Sequence, residues 1–265
     1  MKISYGVNEK FTISFLFFLA TLVAGITSLA AFCFVWVKQR VEMSNSIQGV
    51  GFLANEQKTL NFYKIFSAAY DTLNPFLYPD QMRRRIVSQI KDGTHLRVLD
   101  VGCGTGYTTF GLLKRTDICE VIGLDMNSAQ LKRAAKNLSL EKDRLSISRG
   151  DADNLPFADE SFDALVSIGA IEYFPEPQQA LIEFTRVTKP GGTVVVAGPE
   201  AGWFKKFGLN KFFYTPSVSE MNGFFREAGL LGVELLLTGV NTFFGTERYV
   251  VAAIGNKPSS GNFHS

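Results

Sequence analysis

The chain has 265 residues, 46% of them hydrophobic and 13% aromatic, with 24 phenylalanines and a net charge of +2. The length allows one to two domains with an ample core. So small a charge gives no case for a nucleic-acid binder, and Cys33, Cys103 and Cys119 have neither metal-ligand spacing nor the even count of a disulfide framework, which points to a reducing compartment.

Phe11 to Val37 holds no charged residue; Lys10 bounds it on one side, Lys38 and Arg40 on the other. As a helix it would reach ~40 Å, enough to cross a hydrocarbon layer of ~30 Å with some tilt. Trp36 stands near one end, where interfacial aromatics concentrate. A cleaved signal peptide is the alternative, but the run is long for one and lacks a small-residue cleavage site before a polar start. Residues 11–37 therefore read as a single transmembrane anchor, and residues 38–58 as a polar juxtamembrane linker.

Thr59 to Asp71 has helical periodicity, with Phe62, Ile65, Phe66 and Ala69 on one side. Pro75 ends it and holds Asn74 extended. A second helix is predicted over Asp80–Ile90, with Met82, Ile86 and Ile90 as its buried stripe. Arg83, Arg84 and Arg85 lie away from that stripe and are expected on a solvated face, with anionic lipid head groups as the alternative. Together these helices form a cap over 59–91 at the start of a domain spanning 59–255. Residues 256–265 read as a disordered tail.

Arg97 to Gly106 organises the rest. Val98, Leu99 and Val101 are the apolar run of a buried parallel strand, and Gly102, Gly104 and Gly106 follow at alternate positions. Glycine lets a ligand approach the backbone closely, and Tyr107 opens a helix whose first N–H groups point toward that ligand. The spacing is not that of a dinucleotide site, and no Gly-Lys-Ser/Thr follows as a phosphate loop requires. Asp100 at the strand end suits a ligand bearing positive charge better than a pyrophosphate.

Strands at Arg97–Val101, Val121–Asp125, Leu145–Arg149, Asp163–Ser167 and Thr193–Ala197 alternate with helices at Tyr107–Arg115, Ser128–Leu138 and Pro177–Val187. Such alternation gives a parallel α/β sheet with right-handed crossovers. The Lys189-Pro190-Gly191-Gly192 turn leads into the fifth strand. After a helix near Val218–Ala228, strands at Gly232–Thr238 and Tyr249–Ile254 are joined by a short loop and should pair antiparallel.

Asp125 ends the second strand about twenty residues past the glycines, where a carboxylate can accept hydrogen bonds from ribose hydroxyls. The bland alternative is a neighbour of the next helix cap, since Asn127 and Ser128 open that helix. Gly150-Asp151-Ala152-x-x-Leu155-Pro156-Phe157 follows the third strand, with Asp153 read as a solvated turn residue. Ser167, Gly169, Glu172 and Tyr173 follow the fourth, where strand ends line the crevice of an open α/β sheet.

These motifs together resemble the class I S-adenosylmethionine-dependent methyltransferases, whose cofactor carries a sulfonium and an ammonium but no phosphate. The resemblance implies a Rossmann-like sheet of seven strands, five parallel plus an antiparallel closing hairpin, here preceded by one transmembrane helix. It implies S-adenosyl-L-methionine as cofactor, no metal, and a cytoplasmic catalytic domain on the membrane, because the cofactor is made in the cytosol. The cofactor-binding set is Asp100, Gly102, Cys103, Gly104 and Gly106, Asp125 with Met126 at the ribose, Asp151 and Ala152 at the adenine edge, Ser167 and Gly169 at the methionine part, and Tyr70.

Within that family the chain is similar to quinone C-methyltransferases, of the ubiquinone and menaquinone type and of the phytylbenzoquinol type. Tyr70-Asp71-x-x-Asn74, Met82-Arg83 and Ile171-Glu172-Tyr173-Phe174-Pro175 carry this finer likeness. It implies a prenylated quinol as lipophilic acceptor, no nucleic acid, and a second copy of the chain as a candidate partner. Catalytic candidates are Glu172 first, then Tyr173 and Asp71, because His95 lies on the face opposite the crevice and His264 in the tail. Trp203 to Tyr214 alternates aromatics with lysines and reads as an interfacial segment or a lid. A sterol carbon, a phospholipid amine or a phenol oxygen as acceptor remains an alternative, as does a non-catalytic, cofactor-binding assembly factor.

Overall fold

The structure is a computed structural model that describes residues 78–201, 215–242 and 245–259. The expected anchor, the linker, the first part of the cap with Tyr70 and Asp71, the Trp203–Tyr214 segment and the end of the tail lie outside the described residues. Among the described residues no helix is long and apolar enough to cross a membrane.

Strands β1 (Leu96–Val101), β2 (Ile118–Asp125), β3 (Leu145–Arg149), β4 (Phe162–Ile168), β5 (Thr188–Pro199), β6 (Leu231–Thr242) and β7 (Gly245–Asn256) form one sheet in the order β3-β2-β1-β4-β5-β7-β6. The first five pair in parallel; β7 runs antiparallel to both β5 and β6. This is the expected arrangement of five parallel strands and a closing hairpin. Helices α1 (Asp80–Val87), α2 (Tyr107–Leu113), α3 (Ser128–Asn137), α4 (Pro177–Val187) and α5 (Val218–Glu227) fill the connections and flanks.

Period-two alternation sorts the strand side chains into two cores. Val194 and Val196 of β5 join Leu181 and Phe184 of α4 and Met221 and Phe225 of α5, while Val195 and Ala197 join Met82 and Ile86 of α1 and Leu112 of α2. Burying such a side chain contributes about 1.5–3 kcal/mol, and both faces of the sheet gain it. The helix starts are fixed locally. The Asn127 side chain accepts the N–H of Ala129, Pro177 occupies the first turn of α4, and Ser217 with Glu220 forms a capping box on α5.

Some expectations need correction. The Lys189–Gly192 turn lies inside β5 as a wide irregularity between the pairs Phe162↔Thr188 and Ala164↔Thr193. It is held there by reciprocal hydrogen bonds from Gly191 N to Lys257 O and from Lys257 N to Gly192 O. The closing hairpin runs further than predicted, to the pair Thr242↔Gly245, because ladder pairing continues past the apolar stretch. Helix α1 ends at Val87, although Ile90 is buried as expected. Phe110 of α2 is exposed, with the Lys114 ammonium over its ring.

The largest correction concerns Arg83. It is 5% exposed, whereas Arg84 and Arg85 are on the solvated face. Its Nε donates to Tyr78 O at 2.9 Å and its guanidinium to Thr108 Oγ1 at 2.7 Å, and the rings of Tyr78 and Tyr107 flank it. The buried face of α1 is therefore wide, comprising Met82, Arg83, Ile86 and Val87, because the helix packs against both the sheet and α2.

Candidate active site

The sheet order changes direction between β1 and β4. At such a point the loops beyond the strand C-termini diverge and leave a crevice. The crevice is present and is lined by the loop after β1, the end of β2 with the start of α3, the loop after β3 and the loop after β4. Gly102, Gly104, Asp125, Met126, Asp151, Ala152, Gly169 and Tyr173 of the sequence-derived set meet there.

The glycine turn works by division of labour. Gly102 has φ of +71°, and a Cβ on it would lie 2.4 Å from the Ala170 Cβ, so it lets the loops after β1 and β4 touch. Gly104 has φ of +55°, and a Cβ there would meet nothing within 4 Å, because it faces the open crevice. Gly106 does not line the crevice. It caps α2 at φ 92°, where a Cβ would strike Leu138. A direct comparison follows: Gly102→Ala should destabilise the fold by about 2–4 kcal/mol through clash and strain. Gly104→Ala should cost only about 1 kcal/mol of stability and instead weaken cofactor binding. Chemical denaturation and calorimetry on the same two variants check this.

Asp125 is held by the backbone it organises. Its Oδ2 accepts Gly104 N–H at 2.9 Å and its Oδ1 accepts Asn127 N–H at 2.8 Å. Burial raises its pKa, and those two N–H groups oppose the rise. Each oxygen keeps a lone pair for a ligand hydroxyl. Asp151 lies across the crevice at the Gly150–Ala152 turn and accepts Asp153 N–H at 3.1 Å. Asp153 itself is half-buried rather than solvated, and burial with the nearby Asp151 charge raises its carboxyl to about 6.

Several expected ligands stand back from the crevice. Asp100 is 1% exposed and accepts Thr109 Oγ1 at 2.6 Å on the α2 side of the sheet. Burial raises it to about 6, offset in part by Thr109 and the Arg83 charge. The Cys103 thiol packs on Gly123, under the turn, and burial pushes its pKa well up. Ser167 is fully buried, and its hydroxyl has no partner among the described residues.

Glu172 and Tyr173 sit on a 3₁₀ turn, Ile171–Tyr173, and part there: Tyr173 lines the crevice, and Glu172 turns inward. Glu172 is 7% exposed, with the Tyr78 hydroxyl 3.4 Å from its Oε1 and Gly198 beside its Oε2. Burial pushes its carboxyl up to about 7.

The structure adds Asn127, Gln130, Phe174 and Pro175 to the lining. Gln130 is 2% exposed and its Oε1 has no partner among the described residues. The signal in the sequence was a polar residue beside Leu131 and Ala134 on the buried face of α3.

The lining carries two carboxylates and, among the described residues, neither Lys nor Arg. With the open space at Gly104, that fits a ligand with hydroxyls, an adenine and positive charge, and it does not fit a polyphosphate. Residues 99–196 match the family described as methyltransferase domain. The 2-methyl-6-phytyl-1,4-hydroquinone methyltransferase 1 of Oryza sativa subsp. japonica is 33% identical over 219 residues, 80% of this chain and 66% of the rice protein. The demethylmenaquinone methyltransferase of Lactiplantibacillus plantarum is 41% identical over 117 residues, 43% of this chain and 49% of that protein. The chain thus spans 66% or less of the length of these relatives. Haemonchus contortus phosphoethanolamine N-methyltransferase 2, solved in complex with S-adenosyl-L-methionine, superposes with a TM-score of 0.62 at 16% identity, over 81% of this chain and 61% of that one. Residues 99–196 thus carry a methyltransferase domain, and the chain has the fold of the class I, S-adenosylmethionine-dependent methyltransferases.

Proposed function

We propose that the chain methylates a ring carbon of a prenylated quinol at a membrane surface. The observation that carries the reading is the acceptor side of the crevice. Ala170, Tyr173, Phe174 and Pro175 line it, and Glu172, on the same 3₁₀ turn as Tyr173, is turned away from it with its carboxyl raised to about 7. An ammonium acceptor would want an exposed carboxylate or an aromatic cage, whereas a neutral aromatic ring wants flat apolar walls. The names of the rice and Lactiplantibacillus relatives point the same way.

Asp125, Asp151 and the Ala152 N–H would hold the ribose and the adenine edge, with Gly102, Gly104 and Gly169 leaving room for the methionine part. When bound, the cofactor supplies an electrophilic methyl group on a sulfonium. The chain's task is to hold the acceptor carbon in line with that methyl, which is chiefly positioning. Tyr173 and Phe174 clamp the ring and exclude water. Transfer would replace a ring-carbon hydrogen by that methyl, so one proton would have to leave the acceptor. Glu172, whose carboxyl is raised to about 7 and which does not line the crevice, would take that proton through the Tyr78 hydroxyl, which lies 3.4 Å from its Oε1 and beside the crevice-lining Gly169. Residues 11–37 would anchor the chain with the domain on the cytosolic side.

The test is product analysis with purified full-length chain in detergent, S-adenosylmethionine and a panel of acceptors. The reading expects turnover of a prenylated 2-methylbenzoquinol to a product with a new aryl C–CH3 group. Turnover only of a phospholipid amine or a sterol, or a methoxy product, would contradict it.

A further inference from the structure

Helix α4 begins two residues after the crevice-lining Pro175 and then runs beneath the loop that follows β3. It presents Gln179, Glu183 and Arg186 at i, i+4 and i+7, which is one face of a helix. All three reach that loop. Gln179 Nε2 lies 3.5 Å from Asp153 O. Glu183 Oε2 accepts Leu155 N–H at 2.8 Å. Arg186 donates to Leu155 O at 3.0 Å, to Phe157 O at 2.8 Å and to Asp159 Oδ1 at 2.7 Å. Glu183 and Arg186 are also joined to each other by two bonds of 2.7 Å. The loop returns to the helix end through Glu160 N to Arg186 O and Ser161 N to Val187 O.

This is more than an ordinary surface ion pair. Glu183 is 8% exposed, and the groups it and Arg186 bind are backbone atoms of a loop that otherwise has little secondary structure. The same loop carries Asp151 and Ala152 into the crevice. Hydrogen-bond recognition of a base edge tolerates little displacement, so whatever fixes this loop fixes what the site reads.

We propose that Gln179, Glu183 and Arg186 form a clamp that positions the 151–157 loop and thereby sets the preference of the site for a 6-amino purine over a 6-oxo purine. The inference rests on the cofactor reading above. Asp151 offers an acceptor suited to a 6-amino group, and the Ala152 N–H a donor suited to an unprotonated ring nitrogen. A 6-oxo purine presents the opposite pattern at both positions. The three side chains touch no ligand and are positioning residues.

The test is calorimetric affinity of the full-length chain for S-adenosylhomocysteine and for its 6-oxo counterpart, S-inosylhomocysteine, with melting curves on every variant. Wild type should favour the adenosyl ligand by about 10³-fold or more. Arg186→Met and Glu183→Ala should shrink that ratio about tenfold or more, chiefly by weakening the adenosyl ligand. Arg186→Lys keeps the charge and the fold but cannot reach both carbonyls, so it should shrink the ratio about three- to tenfold. Glu183→Gln keeps an acceptor for Leu155 N–H and should retain most of the ratio. A merely structural role predicts that both ligands weaken together. An unchanged ratio in folded Arg186→Lys and Arg186→Met, equal weakening of both ligands, or no discrimination in wild type would overturn the proposal. Failure of wild type to bind either ligand would overturn the cofactor reading itself, and the clamp with it.

Discussion

Replacing Glu172 by Gln is expected to slow methyl transfer about 10²–10³-fold while making the fold more stable at pH 8. The two effects share one cause. Glu172 is buried, and its carboxyl is raised from 4.5 to about 7, so ionising it in the folded chain costs free energy that the unfolded chain does not spend. Because the folded pKa is above the unfolded one, the folded state binds more protons between about 4.5 and 7, and stability falls as pH rises through that window. Above pH 8 the cost is about 3 kcal/mol; at pH 4 it is absent. Glu172→Gln should therefore match wild type in stability near pH 4 and exceed it at pH 8. Asp100 and Asp153, each raised from 3.8 to about 6, and Asp125, raised by burial, stay in the variant and keep a slope of the same sign over a range below that of Glu172. The wild-type rate should climb with pH through about 7 and then level off, and the residual rate of the variant should lose that step. Affinity for S-adenosylhomocysteine should change less than about threefold, since Glu172 does not line the crevice. Pairing denaturation with pre-steady-state rates across pH reads both effects. A variant with full activity, or one less stable than wild type at pH 8, would remove Glu172 from the role of base.

Asp125 should govern cofactor binding more than any other single side chain. It would hold the ribose, and it already holds Gly104 N–H and Asn127 N–H, one on each oxygen. Asp125→Ala removes both uses at once, leaving two backbone donors without their acceptor at the foot of the crevice. The expected loss is about 10²-fold or more in affinity for S-adenosylhomocysteine, or about 3 kcal/mol. Asp125→Asn separates the uses, because its amide can serve only one of the two N–H groups as acceptor. Its NH2 faces the other donor, so an intermediate loss of about tenfold is expected. If Asp125 were only a neighbour of the α3 cap, Asp125→Ala would lower the melting temperature and leave the affinity of the folded fraction alone. Calorimetry at a temperature where both variants are folded distinguishes the cases.

What could be read from the sequence was set by local chemistry. Period-two apolar runs and the glycine turn foretold the strands and their direction because each depends on residues next to one another. The edge of the site was harder to read. In a tight turn adjacent residues point opposite ways, so Gly102 and Gly104 reach the crevice while Cys103 packs on Gly123 and Gly106 shapes the helix start. Membership of the motif therefore did not equal membership of the site. Arg83 was misread because its partners Tyr78 and Thr108 are brought to it by packing of α1 on α2. The irregularity in β5 depends likewise on Lys257, which only the folded hairpin brings near Gly191 and Gly192. Gln130 and the Glu183–Arg186 pair had a sequence signature, polar residues on a helix face otherwise buried, and that signature named the position without naming the contact.

The most direct measurement on the central claim is to follow the methyl group without choosing an acceptor. Purified full-length chain in detergent would receive methyl-labelled S-adenosylmethionine and a total lipid extract of its own cells, and the labelled product would be isolated. The account predicts label in a quinone fraction, carried as a methyl on a ring carbon, and absent when Asp125→Ala replaces wild type. Label in phospholipid or sterol, or no label despite demonstrated cofactor binding, would contradict it.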